Sequence, residues 1–379
     1  MIYLDNSATT KPHPEVIESF VKATKEFYAN PSSIHHFGGQ SEKLLISARE
    51  QVAKLLGVKS EEVIFTSGGT EGNNLAIKGI AHKHQNRGKH MITTTIEHPS
   101  VLQTFKQLEN DGFSVTYLPV NRKGQVSIED VKNAITDGTI LLSMMHVNNE
   151  IGTIQPVEAI GKLVKNYPKL FFHVDAVQSI GKIPLRLANS GIDSCTISGH
   201  KIHGLKGTGI LYLNKKVTLE PLFAGGEQEF SIRSGTENLA GAVSISRALR
   251  LIKEKEMNES AHLSHLRNRL ISGLKKFPEV AINSPEDGAP HIINISIPSF
   301  KPEVIIHALG EENIFISTRS ACSSKKDDAS HVLVACGFEQ TRTTTALRIS
   351  TSYDTTEKDI DKFLQGLRRT IDELKHVME

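Results

Sequence analysis

The sequence holds no tryptophan, only three cysteines in 379 residues, and no apolar run long enough to cross a bilayer. The cysteine shortage is the most informative. Cys195, Cys322 and Cys336 cannot staple a chain of this length, so a disulfide framework is excluded. A reducing compartment is expected instead, where a lone thiol is either inert core filling or reactive chemistry. The most apolar stretches, such as residues 140–145, fall far short of the ~20 residues a membrane helix needs, so no membrane association is expected. An excess of either charge is missing too: 44 basic against 42 acidic side chains leave a formal net charge of +2. That balance speaks against a broad basic face, and direct nucleic-acid binding is not expected. The opening Met1-Ile-Tyr-Leu-Asp-Asn-Ser-Ala-Thr-Thr10 has neither a basic leader nor a long apolar core. No secretory signal is read there, and the cytoplasm is the expected location. The missing tryptophan excludes nothing.

What is present, 38% apolar and 23% charged residues, describes an ordinary soluble globular protein. The length argues for two packed lobes. Helical and strand patterns alternate along the chain, without repeats or low-complexity tracts, which predicts an α/β fold with a mainly parallel sheet. Residues 38–56 place Leu44, Leu45, Ala48, Val52, Leu55 and Leu56 at helical spacing, and Gly57 is a natural stop. Strands are predicted over 62–67, 91–95, 115–119, 139–145, 170–174, 195–198 and 209–213. A helix over 238–256 leads out of the large lobe into a smaller α+β lobe, whose last helix spans 357–377 with Asp354 and Glu357 as its capping pair. The division assigns 16–256 to the large domain, and 1–15 with 257–379 to the small one.

Three strand ends carry residues with chemistry. Thr66-Ser-Gly-Gly-Thr-Glu-Gly-Asn-Asn74 runs from a strand through glycines into a helix, whose free N–H groups and dipole can hold a phosphate. Taken alone, a plain strand–helix turn is the better explanation, and the spacings of nucleoside-triphosphate and dinucleotide loops are missing. Asp175, in His173-Val-Asp-Ala-Val-Gln178, ends a strand where α/β folds place ligands, and there it could keep a pyridine nitrogen protonated. A single Asp in such a place is more often a turn cap. Lys201, in Ser198-Gly-His-Lys201, ends another strand, where desolvation suits a Schiff-base lysine. A surface lysine in a Gly-rich loop is the bland alternative. The ordered set of phosphate turn, Asp end and Lys end argues against the bland alternatives together.

That set resembles the class-V aminotransferase group of fold-type-I pyridoxal-phosphate enzymes, and specifically the cysteine desulfurases. The matching segments span nearly the whole chain. They include Tyr3-Leu-Asp-Asn-Ser-Ala-Thr-Thr10, Asn30-Pro-Ser-Ser-Ile-His35, the glycine turn, Glu97-His98, His146-Val-Asn-Asn-Glu-Ile-Gly152, Arg233-Ser-Gly-Thr236, Ser320-Ala-Cys-Ser-Ser324 and Arg348. The resemblance implies a large domain around a mainly parallel seven-stranded sheet, plus a smaller α+β domain. It implies pyridoxal 5'-phosphate held on Lys201, which then moves protons. By the same resemblance Asp175 pairs with the pyridine nitrogen, Gln178 with the ring hydroxyl, and His98 stacks on the ring as acid or base. Gly69, Thr70, Ser198 and His200 cradle the phosphate; Thr236 reaches the phosphate in the neighbouring subunit, which implies a homodimer. Asn149 and Arg348 hold the substrate carboxylate, with Asn149 also beside the cofactor.

Cys322 selects the reaction. It lies among small polar residues after the apolar 314–316 strand, in a cysteine loop over about 318–332 that reads as mobile. Its polar setting disfavours core packing, which is the preferred reading for Cys195 and Cys336. A thiolate there would attack the sulfur of a bound L-cysteine, leaving alanine and a persulfide. The spacing from Cys322 to Arg348 is similar to the long-loop, housekeeping desulfurases, which implies acceptors such as iron–sulfur scaffolds or tRNA-thiolating enzymes. One departure is marked: Ile-Ser-Thr-Ser-Tyr-Asp354 follows Arg348 where many members have a second arginine near position 353, which bears on the acceptor more than the reaction. Selenocysteine lyase, or another class-V aminotransferase, is the alternative. A binding protein on a degenerate scaffold would require loss of Lys201, Asp175 or Cys322, and all three are present. The remaining histidines show no metal-ligand spacing, so no metal is expected; His203, two residues past the lysine, is a candidate lining residue of the cofactor pocket.

Overall fold

In the computed structural model, which describes residues 1–318 and 329–378, seven strands form the central sheet. From edge to edge they are Val63–Thr66, Gly209–Leu213, Ser194–Ser198, Phe171–Asp175, Thr139–Met145, His90–Thr94 and Ser114–Leu118. The last five pair in parallel. Gly209–Leu213 runs antiparallel to both of its neighbours, so Val63–Thr66 points the same way as the parallel set. All seven predicted strands are therefore present, each within a residue of its expected bounds.

The sheet is covered on both faces, and strand periodicity divides the work. Ile92, Leu142 and Ile210 join a core with Ile245, Ala248 and Leu249, whereas their neighbours Met91, Leu141 and Leu211 join a core with Leu75, Ile77 and Phe105. Thr139–Met145 is buried at every position, as a central parallel strand should be. Helix His36–Leu56 ends where predicted, with Gly57 left-handed at φ 68°.

A second core gathers around a three-stranded sheet in which Ile292–Ser296 lies antiparallel between Ala346–Ser350 and Ala281–Ile282. Ile293, Ile295, Leu309, Ile349, Phe363 and Leu367 build it, together with Ile2 and Leu4 from the start of the chain. The first residues belong there because Ile2–Tyr3 pairs in parallel with Ile314–Phe315.

Two boundaries differ from expectation. The helix expected over 238–256 continues through a break at Glu259 to Leu274. The polar stretch that seemed to end it stays helical through the ion pairs Lys253–Glu256 and Lys255–Glu259, and Leu266, Leu270 and Leu274 beyond them enter the second core. At the last helix, Glu357–Met378, the capping pair is Thr356 with Asp359 rather than Asp354 with Glu357. Asp359 Oδ2 accepts from the Thr356 N–H at 2.9 Å, and Thr356 Oγ1 accepts from the Asp359 N–H at 3.2 Å. Both pairs satisfy the three-residue spacing; only this one sits at the helix start. Among the described residues no helix is long and apolar enough to cross a membrane.

Candidate active site

The carboxyl ends of the co-directional strands share one edge of the sheet, and the segments that leave them line a cavity of about 230 Å³. Gly69 and Thr70, His98, Asn149, Asp175 with Gln178, and Ser198 with His200 and Lys201 all reach it, while Ser7, Ala8 and Arg348 close it from the second core. Every residue expected at the cofactor lines this cavity except Thr236, which is exposed ahead of helix Leu239–Leu274.

At one end Gly68 turns the chain from strand to helix at φ 153° and ψ −173°, a conformation open to glycine only. The backbone crowds in behind it: a Cβ on Gly209 would lie 2.6 Å from the Gly68 Cα. The first N–H groups of helix Gly69–His84 have no partner within the helix, and Glu71, the acid of that first turn, is held by the Ser67 N–H at 2.8 Å and Arg233 at 2.9 Å. His200 beside it is pushed down to about 4, mainly by burial and then by Lys201, so it stands neutral.

Asp175 sits deeper. One of its oxygens caps the turn, accepting from the Val177 N–H at 2.9 Å, and the other accepts from Asn73 Nδ2 at 2.8 Å. Asn73 also donates to Ser100 Oγ at 3.0 Å, and its carbonyl oxygen faces His173 Nε2 at 3.0 Å. Burial drives His173 down to about 3, so that ring is neutral and donates from Nε2 to the Asn73 oxygen. Asn73 is thereby locked with its amide toward the carboxylate, and Asp175 stays aimed into the cavity. The sequence reading missed Asn73 and Ser100; the signal was spacing, since Asn73 lies one helical turn beyond Gly69 on the same face.

His98 caps helix Pro99–Asn110, its Nδ1 accepting from the Ser100 N–H at 3.1 Å. A backbone N–H can only donate, so the neutral ring carries its proton on Nε2. Burial holds the imidazole below its usual value against the opposing pull of Asp175. Lys201 Nζ donates to the carbonyls of Ser7 at 2.5 Å and Ala8 at 2.7 Å. Gln178 donates to the same Ser7 carbonyl at 3.0 Å, and its own buried Oε1 has no partner among the described residues. Arg348 is 1% exposed, with Nη1 on the Asn149 carbonyl at 2.9 Å and Nη2 on Asp5 at 3.0 Å.

Three other expectations have clear outcomes. His203 is not part of this cavity; it adopts φ 59°, faces the Lys11 carbonyl at 3.0 Å, and lines a separate cavity with Tyr353 and Asp354. Cys195 and Cys336 are buried core residues, and burial pushes the Cys336 thiol up to about 12. Cys322 lies outside the described residues; the chain on either side is moored at the site. Ser317 exchanges backbone hydrogen bonds with Arg348, and Ser330 Oγ donates to the buried Glu150 at 2.6 Å.

Glu97, next to His98, carries a pH signature. Full burial raises its carboxyl to about 8, although Thr94 Oγ1 and the Met145 N–H both donate to it. A folded value above the unfolded one means that its contribution to stability is complete below the unfolded value of 4.5 and is lost as pH rises through about 8. Glu97→Gln keeps the acceptor and removes the titration. Its melting temperature relative to the parent is therefore expected to rise steadily from pH 4.5 to 8; a difference independent of pH would contradict the assignment.

The fold is that of a known class: the chain belongs to the aminotransferase class-V family, whose profile matches residues 2–363. Within it the chain is 44% identical to "Cysteine desulfurase IscS" of Clostridium botulinum, across 98% of this chain and 94% of that protein. Among solved structures, "NIFS-LIKE PROTEIN" superposes with a TM-score of 0.92 at 38% identity, covering 98% of this chain and 99% of the other. "SspA in complex with cysteine" superposes at 0.82 with 33% identity, covering 92% and 98%.

Proposed function

We propose that this chain is a cysteine desulfurase, which holds pyridoxal phosphate on Lys201 and passes the sulfur of L-cysteine to Cys322. The observation that carries the reading is one cavity bordered by four unlike groups: a helix start, a carboxylate, an amine and a buried arginine. The residues suit the cofactor. The strained Gly68 turn and the free N–H groups after it fit a phosphate, Asp175 fits a protonated ring nitrogen, and the unpartnered Gln178 Oε1 fits the ring hydroxyl. Similarity to a named cysteine desulfurase and to a structure solved with cysteine supports the choice of substrate.

Bound there, pyridoxal phosphate supplies the electron sink that lets the substrate's carbon–sulfur bond be broken. The protein's own groups do the rest. Ser198 and His200 would complete the phosphate cradle begun by Gly69 and Thr70, and Asn73, which holds Asp175, would keep that carboxylate available to the ring nitrogen. Arg348, with Asn149 beside it, takes the substrate carboxylate. Lys201 would move the Cα proton, and His98 would lie beside the cofactor and offer its Nε2 proton. The Cys322 thiolate then attacks the substrate sulfur: a sulfur–sulfur bond forms, the carbon–sulfur bond breaks, and the carbon keeps the electron pair and takes a proton, giving alanine. Thr236 would serve the phosphate of a second copy, in a cytoplasmic homodimer that hands sulfur to an iron–sulfur scaffold or a tRNA sulfurtransferase.

The test is product analysis. With pyridoxal phosphate, L-cysteine and a reducing thiol, and without any keto acid, the protein is expected to yield L-alanine and sulfide in equal amounts. A requirement for a keto acid would turn the reading to an aminotransferase, and turnover of selenocysteine alone to a selenocysteine lyase.

A further inference from the structure

Ser7 and Ala8 line the cavity, and their neighbours in the N-terminal segment reach the same groups. Ser7 and Ala8 hold Lys201, Ser7 also takes the Gln178 amide, Thr9 Oγ1 meets His200 Nδ1 at 3.2 Å, and Asp5 pairs with Arg348. The last contact is the unusual one. Asp5 Oδ1 lies 3.0 Å from Nη2 of an arginine whose side chain is 1% exposed, while the Asp5 side chain is 21% exposed. Burial raises the Asp5 carboxyl above its ordinary value, while Arg348 and then Lys201 attract the carboxylate, the surroundings an amino acid's α-carboxylate would meet.

Asp5 is not needed to place the arginine. The Arg348 backbone is locked between Asn294 on one side and Ser317 on the other, and its guanidinium is also held by the Asn149 carbonyl at 2.9 Å and Ser317 Oγ at 3.3 Å. What Asp5 adds is charge. A guanidinium buried without a counter-ion is costly, and two carboxylates on one guanidinium repel each other. Among the described residues the buried Nε has no partner, which leaves part of the arginine's hydrogen-bonding capacity for a ligand.

We propose that Asp5 is a built-in competitor for the carboxylate clamp: it neutralises Arg348 in the free protein, and an α-amino acid binds by taking over its place on the guanidinium. Asp5 thus sets how tightly the substrate carboxylate is held, and its partly exposed side chain has solvent to move into. The inference rests on the clamp role given to Arg348.

The test uses the holoenzyme, with calorimetric binding of L-alanine and the KM for L-cysteine as independent readouts. Asp5→Asn keeps the oxygen that accepts from Nη2 and removes only the charge, so both constants are expected to fall by about tenfold. Asp5→Glu retains the charge and should hold both within about twofold of the parent. Arg348→Lys should weaken L-alanine binding by at least about tenfold. Constants that stay unchanged or rise in Asp5→Asn would overturn the proposal and leave the clamp standing. Unchanged L-alanine binding in Arg348→Lys would overturn the clamp, and the proposal with it.

Discussion

Lys201→Met is expected to fold and to turn over L-cysteine at least about a thousandfold more slowly than the parent protein. Methionine matches much of the lysine stem, so the short helical turn of Gly199–Lys201 keeps its packing. The loss is confined to one amine, and that amine is placed by three independent restraints. The Lys201 carbonyl is held by the buried Lys182 Nζ at 3.0 Å, the turn carrying it follows directly from strand Ser194–Ser198, and the amine itself faces two carbonyls of the N-terminal segment. Those carbonyls border an open cavity and can be met by water in the variant, so only a small drop in melting temperature is expected. Alanine formation measured beside a thermal melt separates the two effects. Turnover within about tenfold of the parent would remove Lys201 from the chemistry.

The residues that carry this prediction were legible because strand ends are legible. Asp175 ends a largely apolar run and Lys201 follows a short stretch of β character, and a parallel sheet brings such ends to one edge whatever the helices between them do. The glycine turn was readable for the same reason, although its strain at Gly68 was not. What the sequence hid was contact across long separations. Asp5 meets Arg348 across 343 residues, and Ser7 and Ala8 meet Lys201 across nearly 200, with no local pattern to announce either. These pairings arise because the first strand is recruited to a core built by the end of the chain. Asn73 was hidden differently: nothing in its local sequence marks it as buried until His173 and Asp175 are placed on either side of it. The helix through Glu259 was cut short because a charged run resembles a loop when its ion pairs cannot be seen.

Cys322→Ser should abolish both alanine and sulfide formation, by at least about a thousandfold, while cofactor loading and L-alanine binding persist. A serine hydroxyl is far too weakly acidic to supply the anion that attacks sulfur, yet it is nearly isosteric, so the surrounding chain has no reason to rearrange. The structure strengthens the assignment by elimination. Cys195 is fully buried in a central strand with its thiol pushed up by burial, and Cys336 is buried and raised to about 12, so neither offers a thiolate. Covalent geometry keeps Cys322, five residues beyond Ser317, within about 18 Å of a residue that bonds the Arg348 backbone. That tether leaves the arginine proposed to hold the substrate within the reach of the chain that carries the thiol. Mass spectrometry after a single turnover should find the added sulfur on the peptide containing Cys322, and the double variant Cys195→Ala with Cys336→Ala should keep that label. A persulfide on either buried cysteine, or undiminished alanine formation by Cys322→Ser, would transfer the sulfur step to a group outside this chain's proposed site.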